Sequence, residues 1–99
     1  MIIGSRPKSL TVNLTRDSDL LCSLKATEAY ETGTTIELEL KTKTDTHTYE
    51  ATIVTDTATF NVDYLEVNQI LDEGPTTARL FYYQGDVDLL WAKGTVKEV

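Results

Sequence analysis

The sequence predicts a mainly β protein: an antiparallel two-sheet β-sandwich of about seven to eight strands, with one short helix near residues 63–72. Three observations carry that class. Threonine is the commonest residue, seventeen of 99; its branched, hydroxylated side chain suits the half-wet face of a sheet and loses χ1 freedom in a helix. Apolar and polar residues alternate with a period of two along much of the chain. Turn signals recur about every eight to twelve residues, the spacing of a sandwich or small barrel.

The elements follow in order. Residues 1–8 form an arm, either flexible or docked on a partner, ahead of a single domain at 9–99; Ile2 and Ile3 are its apolar residues, and Gly4 to Lys8 behaves as a hinge. Leu10, Val12 and Leu14 take one side of a first strand, and Leu20, Cys22 and Leu24 one side of a second. From Thr34 to Lys43, Ile36, Leu38 and Leu40 alternate with Glu37, Glu39, Lys41 and Lys43, giving one dry and one charged face. Lys43 to His47 reads as a polar, exposed turn. Tyr49, Ala51 and Ile53 continue the beat. Thr55-Asp56-Thr57 reverses the chain, and Ala58, Phe60 and Val62 face inward after it. Asp63 caps a helix of about two to three turns, and Glu66 stands where a capping box needs it. Tyr64, Val67, Ile70 and Leu71 fall on one stripe, and Gly74-Pro75 ends the helix, which plugs one end of the core. Ala78, Leu80 and Tyr82 then alternate with Arg79, Phe81 and Tyr83. Gln84-Gly85-Asp86 is a hairpin turn, and Val87 to Val99 gives a pair of strands or one strand bent at Gly94. Connections too short for a crossover require every pairing to be antiparallel.

Composition excludes several roles. Nine Lys and Arg against sixteen Asp and Glu leave a net charge of −7, which repels nucleic acid and anionic membranes alike. A single cysteine, Cys22, allows no internal disulfide. The first residues lack the pattern of a signal peptide, and no apolar run approaches the ~18 residues of a membrane span. These features suit a chain made in the cytoplasm that works in soluble form or in an assembly.

Chemistry is sparse. His47 is the only histidine and falls in the polar turn; Cys22 alternates inward as a small hydrophobe with an inert thiol. One Cys and one His do not make a zinc site. Two Asp-x-Asp pairs, Asp17/Asp19 and Asp86/Asp88, would bind calcium only if their loops met, and otherwise cap turns. No glycine-rich phosphate loop precedes the helix. No catalytic residue, metal or cofactor is therefore expected. The residues that stand out are aromatic. Phe81 and Tyr83 share a face with Arg79; with solvent on that side they form a contact surface, and with the helix over it they are core. Leu21 and Leu90, out of phase with their neighbours, add to the interface reading. The expected partner-binding residues are Ile2, Ile3, Arg79, Phe81 and Tyr83.

Three stretches resemble a known family: Leu10-Thr-Val-Asn-Leu-Thr-Arg-Asp-Ser-Asp-Leu20, Glu50-Ala-Thr-Ile-Val-Thr-Asp-Thr-Ala-Thr-Phe-Asn-Val-Asp63 and Leu90-Trp-Ala-Lys-Gly-Thr-Val-Lys-Glu-Val99. Together they look like the LtfC-like β-sandwich domains of actinobacterial phages, over about residues 9–99. Asp17-Ser18 departs from the Gly-Asp of many members, and Phe60 stands where Trp is frequent. The resemblance implies a virion protein of the tail or its fibres, without enzyme activity, that binds other virion proteins and copies of itself. A capsid decoration or head–tail connector protein is the first alternative, and a host-surface carbohydrate-binding module stacking Phe81, Tyr83 or Trp91 on sugar rings is the second.

Overall fold

The computed structural model describes residues 7–99; the expected arm residues Ile2 and Ile3 lie outside them. Alternation resolves into eight strands: β1 (Lys8–Leu14), β2 (Leu20–Lys25), β3 (Thr34–Thr42), β4 (Thr46–Glu50), β5 (Thr52–Val54), β6 (Thr57–Val62), β7 (Pro75–Gln84) and β8 (Val87–Glu98). One helix, α1 (Tyr64–Glu73), lies between β6 and β7. A five-stranded sheet ordered β1-β8-β7-β3-β4 faces a three-stranded sheet ordered β2-β6-β5. The inward residues of both sheets meet in the core, where Ile36, Leu40, Ala58 and Val62 are fully buried and Phe60 is 1% exposed.

One expected pairing is wrong. β1 runs parallel to β8, from Lys8 opposite Ala92 to Leu14 opposite Glu98. The remaining pairs are antiparallel. Alternation assigns faces but carries no direction. Only sequential strands joined by short turns are forced antiparallel, and here the connection from β1 to β8 is most of the domain. The last thirteen residues form one strand and a terminal residue, not two strands. The run Tyr49, Ala51, Ile53 also divides: β4 belongs to the larger sheet and β5 to the smaller. The chain changes layer at Ala51, whose N–H donates to the Ile36 carbonyl at 2.8 Å.

Helix α1 forms where expected. Asp63 accepts from the Leu65 N–H at 2.8 Å, and Asp19 from the β1–β2 loop accepts from the Tyr64 N–H at 2.7 Å. The loop thus supplies a second N-terminal acceptor. Val67, Ile70 and Leu71 enter the core, but Tyr64 is 44% exposed. It occupies the first helical turn, outside the end of the sandwich, and the stripe begins at Val67. Gly74, at φ 82, ends the helix and returns its N–H to the Leu71 carbonyl at 3.3 Å.

Candidate functional site

The outer face of the five-stranded sheet gathers three of the expected partner-binding residues. Alternation on β7 sends Arg79, Phe81 and Tyr83 away from the core, and neither aromatic belongs to the buried cluster. Phe81 and Tyr83 stack with centroids 6.1 Å apart and planes 12° from parallel. The Arg79 guanidinium carbon lies 5.2 Å from the Phe81 ring centroid. Arg79 also donates from Nε and Nη2 to Glu39 Oε1, at 2.8 and 2.6 Å, across the β7–β3 register. The ion pair fixes the guanidinium against the ring, so cation and stacked aromatics form one prearranged strip. Glu37 and Leu90 flank Phe81; Thr35 and Asp88 flank Tyr83. Burial, with Glu37 and Asp88 beside it, pushes the Tyr83 phenol upward, so it stays a neutral donor.

Trp91 departs from this face. The β7–β8 register shifts between Leu80 and Phe81: Leu80 pairs with Ala92, but Phe81 pairs with Leu90. The bulge inserts Trp91 and turns its ring inward, where it meets Tyr82 edge to face at 5.4 Å. Trp91, Tyr82, Leu89, Leu10, Leu24 and Tyr30 line a trough of about 830 Å³ at the start of β1, between the sheets. The sequence signal for it was the phase slip at Leu90. Leu21, the other residue out of phase, is a 67% exposed outward side chain of β2.

His47 is not in an exposed turn, as expected, but in β4. It shares the inward parity of Tyr49, and its side chain is 17% exposed. Its Nε2 lies 2.9 Å from Glu73 Oε1 at the end of α1. The Thr42 hydroxyl donates to the same oxygen at 2.8 Å, and Gln69 Nε2 donates to Oε2 at 3.1 Å. These donors, His47 first, hold the Glu73 carboxyl below its usual range. Beside them, burial together with Glu66 and Glu73 pushes the Tyr49 phenol up to about 12. Asp45, His47 and Glu73 each bring a ligand atom within 4.8 Å of the others, a span one cation could bridge. The arrangement is a latch from the end of β3 and from β4 to the helix end.

The Asp-x-Asp pairs lie at opposite poles. Asp17 and Asp19 follow β1 beyond Leu14, beside the end of β8, whereas Asp86 turns the β7–β8 hairpin at its start. Asp17 exchanges hydrogen bonds with the Asn68 side chain at 2.8 and 2.9 Å, and Asp19 caps α1. Both therefore tie loop to helix. The Cys22 thiol is half-buried on the inner face of β2, and burial pushes it up.

With two layers and one bridging helix in place, the family can be assigned. The model of LtfC-like β-sandwich domains matches residues 6–99. The chain belongs to that family. No curated protein matches it. In this LtfC-like domain the motif residues sit on structural elements: Asp17 and Asp19 at the loop that holds α1, Phe60 at the centre of the core, and Trp91 in the bulge of β8. Among the described residues, no helix is long and apolar enough to cross a membrane.

Proposed function

We propose that this LtfC-like domain is a bacteriophage virion structural protein of the tail, at the tip or baseplate. It acts without catalysis by binding other virion proteins and copies of itself. The observation that carries the reading is the prearranged strip of Arg79, Phe81 and Tyr83 on an outer sheet face, the composition of an interface anchor. Its ordering is settled before any partner arrives, which lowers the entropy lost on binding. Family membership supports the phage setting. The engagement of His47 by Glu73, and the burial of the Cys22 side, support a role without reaction chemistry.

Fractionated virions test it. The protein should copurify with tails, and Phe81→Ala with Tyr83→Ala should leave it folded but absent from them. Recovery in purified heads would make it a decoration or connector protein instead. Retention of the isolated monomer on cell-wall resin, abolished by Tyr83→Ala, would establish the carbohydrate-binding alternative.

A further inference from the structure

The outer face of the five-stranded sheet is divided by charge. Across the register, Glu50, Glu37, Phe81 and Leu90 share one row, and Asp88 stands beside Tyr83 in the next row toward the β7–β8 hairpin. Glu39, Arg79 and Lys93 form the dividing row. Beyond it, Thr46, Lys41, Thr77 and Thr95 share a row, and Lys97 stands one step further along β8. The hairpin half therefore carries the carboxylates Glu37, Glu50 and Asp88, and the other half the cations Lys41 and Lys97. With Glu39 against Arg79 and Lys93 between them, these outward strand positions hold four negative and four positive charges and sum to zero. The −7 of the chain lies elsewhere. Lys41, Glu50, Asp88, Lys93 and Lys97 are exposed.

We propose that this face packs against the same face of a second copy, across a two-fold axis at the Glu39–Arg79 row. The proposal rests on the reading of the aromatic strip as an interface and gives that interface its occupant. A two-fold axis lying between the faces and across the strands sets each strand over its own counterpart and reverses its direction. Sheets stacked face to face keep their strands within about 30° of alignment, which this operator allows. It places Glu37 opposite the partner's Lys41 and Asp88 opposite the partner's Lys97, and symmetry makes each contact twice. The same operation lays Phe81 and Leu90 on the partner's Thr77 and Thr95, where methyl groups offer apolar cover. A two-fold axis along the strands would instead set carboxylate on carboxylate, so the charge pattern selects the operator. On the axis each Glu39 is already held by its own Arg79. Lys93 meets its counterpart there, a local cost set against four contacts of opposite sign. The size is sufficient. Five strands about 4.8 Å apart and five rows about 6.7 Å apart give roughly 500 Å² a side, and about 1,000 Å² for the pair is the lower bound of a specific interface.

Sedimentation velocity of the full chain, at concentrations up to about millimolar, reads the pairing. The parent should dimerise. Glu37→Lys and Lys41→Glu should each weaken the dimer by about a hundredfold, because either substitution opposes like charges twice per dimer. Mixed in equal amounts, these two variants should restore it, since each new charge then meets its opposite. Asp88→Lys mixed with Lys41→Glu is the control. The net charges match those of the restoring mixture, but the lysine introduced at position 88 meets the partner's Lys97, and this mixture should stay monomeric. Unchanged urea midpoints in dilute solution verify that the variants fold. A parent that is monomeric throughout, or a restoring mixture that pairs no better than the control, would overturn the proposal. The measurement needs no virion. A dimer absent from purified tails would leave the pairing standing, and a monomer that copurifies with tails would overturn the pairing alone.

Discussion

Replacing Gly94 with alanine measures how closely β1 is laid on β8. A Cβ at this position would stand 1.6 Å from the Leu10 carbonyl oxygen, 2.6 Å from its carbon and 3.0 Å from the Leu10 nitrogen. All three atoms are backbone, so no rotamer change relieves the clash. Carbon and oxygen approach comfortably only to about 3.3 Å, and β1 would have to retreat by about 1.7 Å. That movement breaks the ladder bonds at Leu10, worth roughly 0.5–1.5 kcal/mol each. It also loosens Val12 and Leu14, which are 7% and 1% exposed and would each lose about 1.5–3 kcal/mol if fully uncovered. A local retreat should therefore cost about 2–4 kcal/mol. In a domain of this size each kcal/mol lowers Tm by about 4–8 °C, so Gly94→Ala should melt at least about 8 °C early. Urea and thermal denaturation followed by Trp91 emission give both quantities. Gly85→Ala is the control: Gly85 has φ +56 and open space around its missing Cβ, so only the left-handed backbone cost of about 1–2 kcal/mol applies. If Gly94→Ala melts within about 3 °C of the parent, or loses no more than Gly85→Ala, the close approach of β1 is not a source of stability.

Three further outcomes follow from the helix and its latch. The Glu73 carboxyl is held below its ordinary value of 4.5 by His47 and Thr42, so its contribution is present above that pH and fades as pH falls through the lowered folded value. Glu73→Gln should flatten the acid limb of a plot of urea midpoint against pH, and an unchanged limb would dismiss the latch. Tyr49 behaves oppositely: its pKa is raised from 10 to about 12, so the stability it contributes is full below pH 10 and is lost as pH climbs through 12. Tyr49→Phe should lose less stability than the parent across that alkaline window, read by the same denaturation curves. Asp63→Ala removes the 2.8 Å bond to the Leu65 N–H and should cost about 1 kcal/mol in urea, with the slope of the transition unchanged.

What could be read from the chain was whatever a two-residue or 3.6-residue period encodes. Ile36, Leu38 and Leu40 alternate without interruption and are all buried; Val67, Ile70 and Leu71 recur at helical spacing and all enter the core. Direction and long-range pairing have no such period. Nothing local in Leu10-Thr-Val-Asn-Leu14 says that its partner lies at the other end of the chain and runs the same way. Nor does the beat of Tyr49, Ala51 and Ile53 mark the change of sheet at Ala51, because the side-chain faces stay in phase through it. The outer strip of Arg79, Phe81 and Tyr83 was legible because alternation fixes faces. Whether a helix would cover it depended on tertiary packing. Alternation assigned Trp91 no face, and the one extra residue in β8 that turns it inward reverses the parity beyond it. His47 was placed in a turn on polarity, although its odd number already put it in register with Tyr49; its partner Glu73, 26 residues away, is visible only once the helix end is folded beside β4.

The parallel seam has a mechanical consequence. β1 begins at Lys8 at one pole, and β8 ends at Glu98 at the other, with seven register pairs joining the two strands between those poles. A tether pulling on both flanks would slide β1 along β8 lengthwise. Such a load falls on the whole ladder in shear, so its bonds must yield together; in an antiparallel terminal hairpin they would be unzipped singly from one end. Rupture under tension is then governed by a high unfolding barrier, not by the modest equilibrium stability of so short a polypeptide.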